Sequence, residues 1–255
     1  MMDLMKQTQR LRQVQDLFTK QEFVNYKDLA DRFGASKSSI RRDLLELERQ
    51  GILRRVHGGA ISLKTRDEIM DFGRLAVSCH EEKIGIGKAA AALVEDEQTV
   101  ILAGGSTVVE VARCLSERPI QIVTNSIPVA QVFWDSKLAE VTLTGGYLYP
   151  RLGVQLGPIC ERMLHSVKAD ILIMGIRGIS EAGISDSNSL IVESLRAMIR
   201  AVRKVVIVAD HTKFGREALA PVAELKEIHH VVSDQKLSPE FQRMLEAHHL
   251  HCTLA

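Results

Sequence analysis

The fold of the N-terminal part of this chain is decided by residues 26–60, which read YKDLADRFGASKSSIRRDLLELERQGILRRVHGGA. The pattern predicts a first helix with an apolar stripe that includes Leu29 and Phe33. Gly34 ends this helix, because glycine adopts the left-handed conformation at the least cost. Ser36 then caps a second helix, since its hydroxyl accepts hydrogen bonds from the free amides of the first turn.

The second helix has one apolar side and one polar side. Ile40, Leu44 and Leu47 repeat at i, i+4 and i+7 and must face a core. At about 100° per residue, the opposite side carries Ser38, Arg42 and Arg49. A short second helix with hydroxyls and arginines near its N-terminus is how a helix-turn-helix enters the major groove of DNA. The residues predicted here to contact DNA are Ser36, Lys37, Ser38, Ser39, Arg41 and Arg42.

A basic hairpin follows the second helix. Residues 52–57 alternate weakly and the Gly-Gly pair at 58–59 supplies a turn, which predicts a small β-wing. Its Arg54, Arg55 and His57 complete the predicted DNA contacts, with the arginines along the phosphate backbone. A plainer interpretation is that the arginine pairs only solvate a helix face and a loop. Two such pairs flanking a helix of this pattern favour DNA binding.

Residues 24–60 resemble the N-terminal domain of the DeoR family of bacterial transcriptional regulators. The matching motifs are the Leu-Ala-x-x-Phe helix, the Ser-x-x-x-Ile-Arg-Arg-Asp-Leu recognition helix and the closing His-Gly-Gly-Ala. This chain has Ser39 where the family most often has threonine. The resemblance implies a winged helix-turn-helix domain that binds double-stranded operator DNA.

Length and charge are consistent with a small DNA-binding domain attached to a larger body. The 255 residues suffice for two domains with separate cores, and the absence of a membrane-length apolar run or a signal peptide predicts a cytoplasmic protein. Residues 1–66 hold 14 Lys and Arg against 8 Asp and Glu, which leaves 19 and 24 for the rest. A basic head on a mildly acidic body fits a polyanion-binding module.

Cysteine and histidine spacing gives no sign of a metal or a disulfide. The four cysteines are scattered, and no pair has the spacing of a zinc site. His248, His249 and His251 are interpreted as the end of a surface helix. We therefore expect no metal and no cofactor.

From Glu81 onward, short β-branched apolar runs alternate with helical segments. Near-continuous apolar strands separated by helices predict an α/β fold with a parallel sheet covered on both faces. The predicted domains are residues 1–62 for DNA binding, a linker at 63–80, and an effector-binding and oligomerisation domain at 81–255. The predicted strands are 99–102, 120–124, 141–144, 171–174, 205–209 and 231–232, and the predicted helices are 83–94, one from 126, 158–165, 189–202 and 239–248.

The loops that follow the predicted strands carry polar groups and glycines. Residues 104–107 form a glycine-rich loop that opens a helix, which suits either a phosphate cradle or a tight turn capped by Ser106. Ligands bind at the carboxyl ends of strands in open α/β sheets, so the later loops, including 184–186, should converge on one crevice. Asp210 is either a ligand-site group or a loop-capping carboxylate. Lys213 neutralises a phosphate, pairs with Asp210 or is an exposed cation.

Residues 82–234 resemble the effector domain of the same family, which is similar in fold to ribose-5-phosphate isomerase. The resemblance implies a Rossmann-like domain and a repressor of a carbohydrate-metabolism operon, released by a small phosphorylated sugar or related metabolite. The family often has aspartate where this chain has Ala103, so a group that could contact sugar hydroxyls is missing. The predicted effector-binding residues are Gly104, Gly105, Ser106, Thr107, Thr124, Asn125, Gly145, Gly146, Gly175, Glu193, Asp210 and Lys213.

Two other functions are alternatives to transcriptional regulation. A sugar-phosphate isomerase needs a carboxylate base and a cation for the developing enolate, and Asp186, Glu193, Asp210 and Lys213 supply those residue types. The strand-end loops lack a second clear acid, so we favour a protein with no catalytic residues. A body that only dimerises is the third hypothesis. Reading two half-sites predicts a homo-oligomer, either a dimer or a tetramer.

Overall fold

Two structural units make up the chain, residues 1–70 and 71–255. The structure is a computed structural model. No helix in the part of the chain that it describes is long and apolar enough to cross a membrane. The described residues are 10–11, 13–14, 17, 23–49, 53–56, 59–62 and 72–255.

The first unit is a small helical domain with a three-stranded antiparallel sheet of order β1-β3-β2. Arg10, Leu11, Gln13, Val14 and Leu17 are helical and precede the sheet. This arrangement is the winged helix-turn-helix that the sequence predicts. Its elements are β1 (Phe23–Asn25), α1 (Tyr26–Phe33), α2 (Lys37–Arg49), β2 (Leu53–Val56) and β3 (Gly59–Ser62).

Helix α2 lies in this unit as its pattern predicts. Ile40, Leu44 and Leu47 are buried, and they share one core with residues of the opening helix and the sheet. Gly34 adopts a φ of 57° after α1, so the left-handed turn between the helices is confirmed. Buried Asp43 adds an ion pair, because Arg10 donates to its two oxygens at 2.5 and 3.3 Å and so ties the opening helix to α2.

The second unit is built on a seven-stranded sheet of order β15-β14-β12-β9-β4-β5-β6, in which every pair is parallel. The predicted α/β class is therefore confirmed. Its strands are β4 (Thr99–Leu102), β5 (Gln121–Thr124), β6 (Glu140–Leu143), β9 (Ala169–Gly175), β12 (Val202–Val208), β14 (His230–Ser233) and β15 (His251–Leu254).

Helices cover both faces of this sheet, as continuous apolar strands require. One face carries α4, α5 and α6, and the other carries α7, α8 and α9. The helices are α3 (Phe72–Val77), α4 (His80–Ala91), α5 (Ser106–Leu115), α6 (Ile127–Val132), α7 (Pro158–Ser166), α8 (Ser189–Arg200) and α9 (Pro239–Ala247).

The direction of the chain through the sheet reverses beside β4. Strands β5 and β6 extend from one side of β4, whereas β9, β12, β14 and β15 extend from the other. A reversal of this kind opens a crevice at the carboxyl ends of the two strands that flank it. In this chain the crevice lies where β4 and β9 end.

Some predicted boundaries are wrong. Helix α8 ends at Arg200 rather than at 202, because Val202 already belongs to β12. Helix α9 ends at Ala247, and His251 lies in the edge strand β15 rather than at a helix end. Residues 184–186 belong to a second, antiparallel sheet and not to a strand end of the main sheet. The strands missed by the pattern include β7 (Tyr147–Tyr149), β8 (Val154–Leu156), β10 (Gly178–Ser180), β11 (Gly183–Asp186) and β13 (Ala220–Ala223).

Two glycines of α4 provide a matched test of packing against α5. A Cβ at Gly87 would lie 2.8 Å from backbone and side-chain carbons of Glu110, whereas one at Gly85 would lie 3.6 Å from the nearest atom, in Ala255. We expect Gly87→Ala to lower the free energy of unfolding by about 1–3 kcal/mol through overpacking. We expect Gly85→Ala to raise it by about 0.5–1 kcal/mol, since alanine is the better helix former. Urea unfolding followed by circular dichroism measures both changes, and equal effects would contradict the close packing of α4 on α5.

Candidate nucleic-acid interface and candidate effector crevice

The first turn of α2 gathers three serine hydroxyls. The backbone amide of Ser39 donates to the Ser36 hydroxyl at 3.2 Å, which confirms Ser36 as the cap. The Ser38 and Ser39 hydroxyls lie 2.8 and 2.9 Å from the same oxygen. The Ser38 and Ser39 hydroxyls can exchange these bonds for bonds to base edges or phosphates.

Cationic side chains extend the same surface. Lys37, Arg41 and Arg42 are all exposed. The guanidinium carbon of Arg41 lies 5.9 Å from the centre of the Tyr26 ring, a cation–π distance that orients the side chain. Among the described residues, no ion pair or ring contact involves Arg42. The polar side of α2 therefore presents hydroxyls and cations together, next to the helix N-terminus.

The wing is more constrained than its sequence predicts. The backbone amide and Nε of Arg55 donate to the two carboxylate oxygens of Glu48, at 2.8 and 2.6 Å. This pair ties the wing to α2 and holds the guanidinium at the helix. Arg54 lies in β2, and His57 lies outside the described residues.

The predicted effector residues of the sheet mostly meet at the carboxyl ends of its central strands. The loop at 104–107 follows β4, Gly175 ends β9, Asn125 follows β5, and Asp210 follows Ala209 after β12. The ten-residue helix α5 begins in this loop after Gly105, whose φ of 148° only glycine adopts without strain. The free amides of its first turn open into the crevice region.

Packing alone accounts for several of the predicted glycines and for Thr124. A Cβ on Gly104 would lie 2.3 Å from Val154, and one on Gly146 would lie 2.6 Å from the Leu156 carbonyl oxygen. Thr124 is fully buried, and its hydroxyl donates to Leu102 at 2.6 Å and accepts from the Ser126 amide at 3.0 Å. The remaining turn glycine, Gly145, has a φ of 70°. At these positions the tight-turn interpretation is sufficient.

Asn125 differs from these residues because half of its amide has no partner. It is 4% exposed, and its Nδ2 donates to the Gln155 carbonyl at 3.0 Å. Its Oδ1 is buried and, among the described residues, accepts no hydrogen bond. Buried acceptors are nearly always satisfied, so an unpaired one beside a crevice points to a missing donor.

Asp210 and Lys213 form a buried charged pair. The ammonium of Lys213 lies 3.3 Å from the Asp210 carboxylate and 3.0 Å from the Thr212 hydroxyl. Burial would raise the pKa of Asp210, but hydrogen bonds from Thr212 and the charge of Lys213 lower it overall. Asp210 also caps the turn by accepting the Thr212 amide at 3.0 Å, so the capping interpretation is correct. Lys213 is largely buried and is not an exposed cation.

Lys83 is a functional candidate to which the sequence analysis assigned no role. It is 3% exposed, and its ammonium donates to the carbonyls of Leu75 and Ser78 at 2.5 Å each. Burial lowers the pKa of Lys83, and the nearby Asp210 carboxylate opposes that shift. The signal was present in the sequence, because Lys83 continues the buried stripe of Ile86 and Ala90 along α4.

Helix α3 is the first described helix of the second unit, and its backbone contacts Lys83 and the glycine-rich loop. Its first amide, from Phe72, donates to the Arg151 carbonyl at 2.9 Å. Near its other end, the Leu75 carbonyl accepts from Lys83 and from the Ser106 hydroxyl, the latter at 3.2 Å. A donor of the glycine-rich loop and a buried ammonium are thus both engaged by α3.

Three further positions considered in the sequence do not lie among the strand-end groups of the crevice. Glu193 is exposed on α8 and pairs with Arg196 at 2.8 Å, so its observed partner is not a strand-end group. Asp186 lies in β11, where burial raises its pKa and its carboxylate accepts the Ser187 amide at 2.7 Å. Ala103 is fully buried in the apolar core. The described residues contain no group of three or more side chains that could hold a metal ion.

Comparison with known proteins gives two family matches and many similar regulators. A DeoR-like helix-turn-helix domain matches residues 10–66, and a DeoR C-terminal sensor domain matches residues 78–235. The HTH-type transcriptional regulator GlpR of Haloferax volcanii is 32% identical, over 94% of each chain. The HTH-type transcriptional repressor GlcR of Bacillus subtilis is 31% identical, over 95% of this chain and 94% of its own. The glycerol-3-phosphate regulon repressor of Escherichia coli is 31% identical, over 98% of this chain and all of its own.

Among solved structures, ribose-5-phosphate isomerase A of Methanocaldococcus jannaschii matches 54% of this chain and 55% of its own, with a TM-score of 0.40 and 16% identity. So distant a likeness carries no functional argument. The two family matches cover the head and most of the body, and the full-length relatives are transcriptional regulators. The chain therefore belongs to the DeoR family of DNA-binding transcriptional regulators.

Proposed function

We propose that this protein is a cytoplasmic repressor that binds operator DNA as at least a dimer and is released by a small phosphorylated sugar or related metabolite. The observation that carries the proposal is the shared use of two donors. Lys83 and Ser106 lie where an anion would bind, and both donate to the carbonyl of Leu75 in α3. A ligand at this position competes with α3 for both donors.

The polar side of α2 supports the DNA-binding half of the proposal. Its exposed Ser38, Arg41 and Arg42 lie opposite a buried apolar stripe, close to the helix N-terminus. Arginine reads guanine through two parallel hydrogen bonds, and serine accepts or donates to several base edges. We assign base reading to Arg42 and phosphate contacts to Lys37 and the serine cluster.

The charges of the crevice support a phosphate as the ligand. Lys83 and Lys213 supply two ammonium groups, of which Lys213 pairs with the Asp210 carboxylate, and α5 adds the partial positive charge of its N-terminus. Phosphate anions are favoured where backbone amides and cations converge.

The unpaired acceptor of Asn125 supports a ligand that also carries hydroxyl groups. The oxygens of a dianionic phosphate ester carry no proton, so they accept hydrogen bonds and cannot satisfy Oδ1. A sugar or polyol hydroxyl donates one. A phosphorylated polyol or sugar therefore matches both parts of the crevice at once.

The mechanism follows from competition for donors. A phosphate that draws Lys83 and Ser106 toward itself takes hydrogen bonds from Leu75 and Ser78. The end of α3 is then less strongly held than in the ligand-free state. Coupling requires that the ligand bind the two states with different affinity, and the exchanged hydrogen bonds provide that difference.

Replacement of Arg42 should relax operator selectivity. With an operator selected by the wild-type protein from random-sequence DNA, Arg42→Ala should cost about 1–3 kcal/mol of discrimination against mismatched sites, because a bidentate base contact is lost. Binding to unrelated DNA should change far less. Arg49→Ala is the matched control, since Arg49 lies in the last turn of α2 and pairs with Glu46. Fluorescence anisotropy measures both variants, and an equal loss in both would exclude base reading by Arg42.

Replacement of Lys213 should abolish the response to the effector without weakening DNA binding. The assay measures operator affinity in the presence of glycerol 3-phosphate, ribose 5-phosphate, hexose phosphates and inorganic phosphate. At least one organic phosphate should weaken DNA binding by the wild-type protein, and Lys213→Ala should not respond. Lys226→Ala is the control, because Lys226 forms an exposed pair with Glu224. Loss of the response in both variants would show that the response to the effector does not depend on the crevice.

Effector binding should also loosen α3. The amide of Phe72, bonded to Arg151, should exchange with deuterium faster when a saturating effector is present, because the other end of α3 is released. The Ala169 amide, bonded to Ala201 at the start of β9, should not change. Hydrogen exchange followed by mass spectrometry resolves the two segments. Unchanged exchange at α3 in the occupied protein would disprove the competition mechanism.

A further inference from the structure

The exposed apolar side chains of the described residues are strongly clustered. Ten large apolar side chains are exposed there, and seven of them lie between positions 134 and 159. Singly scattered apolar residues are normal on a surface, but a concentrated group marks a place of contact. We call this group the edge patch: Trp134, Leu138, Val141, Leu143, Tyr147, Leu148 and Ile159.

The edge patch surrounds an open edge of the main sheet. Strand β6 pairs only with β5, and no strand in the described part of the chain lies on its other side. All four of its residues are exposed. Proteins usually protect such an edge with charges, proline or a bulge, yet β6 reads Glu-Val-Thr-Leu and carries one charge at its first position. By this criterion β6 is an edge that another strand can join.

We propose that the edge patch is the interface through which two copies of this chain associate, with their β6 strands paired antiparallel across a two-fold axis. The proposal rests on the proposed function in one respect only, namely that two DNA-reading heads are needed. An unpaired strand edge requires another strand edge, and a second copy supplies the same one. The sheets of the two copies then form one continuous sheet.

The sequence of β6 is self-complementary in this arrangement. A two-fold axis normal to the sheet keeps every residue on its own face, so the pairing must be centred on a residue. Centred on Thr142, antiparallel pairing sets Val141 of each copy opposite Leu143 of the other. The two glutamates do not face each other, so no like charges are opposed. Val141 and Leu143 share one side of the strand, where apolar contact across the axis is possible.

The exposed area is of the size that a dimer needs. Burying an aromatic side chain removes about 150–250 Å², so Trp134, 85% exposed, and Tyr147, 63% exposed, together offer roughly 300 Å² per copy. A stable interface buries about 800 Å² on each partner. Five further apolar side chains and the backbone of β6 supply the remainder.

A charge placed in β6 tests the interface, and a matched charge elsewhere is the control. Leu143 is 42% exposed and Leu190, at the start of α8, is 49% exposed. Leu143→Glu sets a carboxylate opposite the apolar Val141 of the other copy, so the dimer dissociation constant should rise by at least about 100-fold. Leu190→Glu should leave it unchanged. Sedimentation equilibrium of the full chain measures both.

A second substitution tests the register. Adding Val141→Lys to Leu143→Glu sets opposite charges across the axis at both pairs, and association should return to within about tenfold of wild type. A monomeric wild-type protein, or equal masses for the wild type and Leu143→Glu, would overturn the interface. Failure of the double variant alone would overturn the antiparallel pairing.

The outcomes also separate this inference from the proposed function. A protein that dimerises through β6 but binds no specific DNA leaves the interface standing and removes the repressor. A monomer that recognises an operator through a single head keeps the DNA-binding role and removes the interface. If another molecule or another segment of this chain covers the edge patch, the wild type stays monomeric, and the inference fails.

Discussion

The body of this protein depends on hydrogen bonding along both edges of β4. Leu102, its last residue, is aligned with Thr124 of β5 on one side and with Ile173 of β9 on the other. Since β5 and β6 are added on one side of β4 and β9 on the other, the helices that follow β4 and β9 lie on opposite faces of the sheet and a crevice opens at these strand ends. The glycine-rich loop and Gly175 therefore become neighbours although they are far apart in sequence. Each group assigned to the crevice owes its position to this reversal.

A buried ammonium that donates to carbonyl oxygens can exchange those hydrogen bonds for bonds to a ligand that it binds more strongly. Lys83 donates to two carbonyl oxygens and has no carboxylate in direct contact, and burial lowers its pKa. Removing an ammonium from water is costly, and neutral carbonyls offset only part of that cost. A phosphate dianion offsets more. The same low-dielectric surroundings that weaken the ligand-free arrangement strengthen the charged contact that replaces it.

The sequence predicts the parallel strands well because they are buried on both faces, and residues such as Val100 and Ile101 leave a continuous apolar run. It does not predict β10 or β13, since three or four residues are too short for a period and their pairing is decided by distant contacts. In the crevice, the loop at 104–107 is found from its glycines and its position after a strand. The unpaired oxygen of Asn125 has no counterpart in sequence, because burial and hydrogen bonding are tertiary properties.

The crevice and the edge patch are joined by β8. Gln155 of this strand accepts from the Nδ2 of Asn125 through its carbonyl and from the Gly145 amide through its side chain, at 3.0 and 3.1 Å. Strand β8 also pairs with β7, which carries Tyr147 and Leu148 of the edge patch. A ligand that donates to the Oδ1 of Asn125 binds the same side chain whose Nδ2 already donates to Gln155 of this hairpin. The proposed crevice and the proposed interface at β6 therefore share a set of hydrogen bonds, and coupling between them would run through a packed segment rather than through mobile chain.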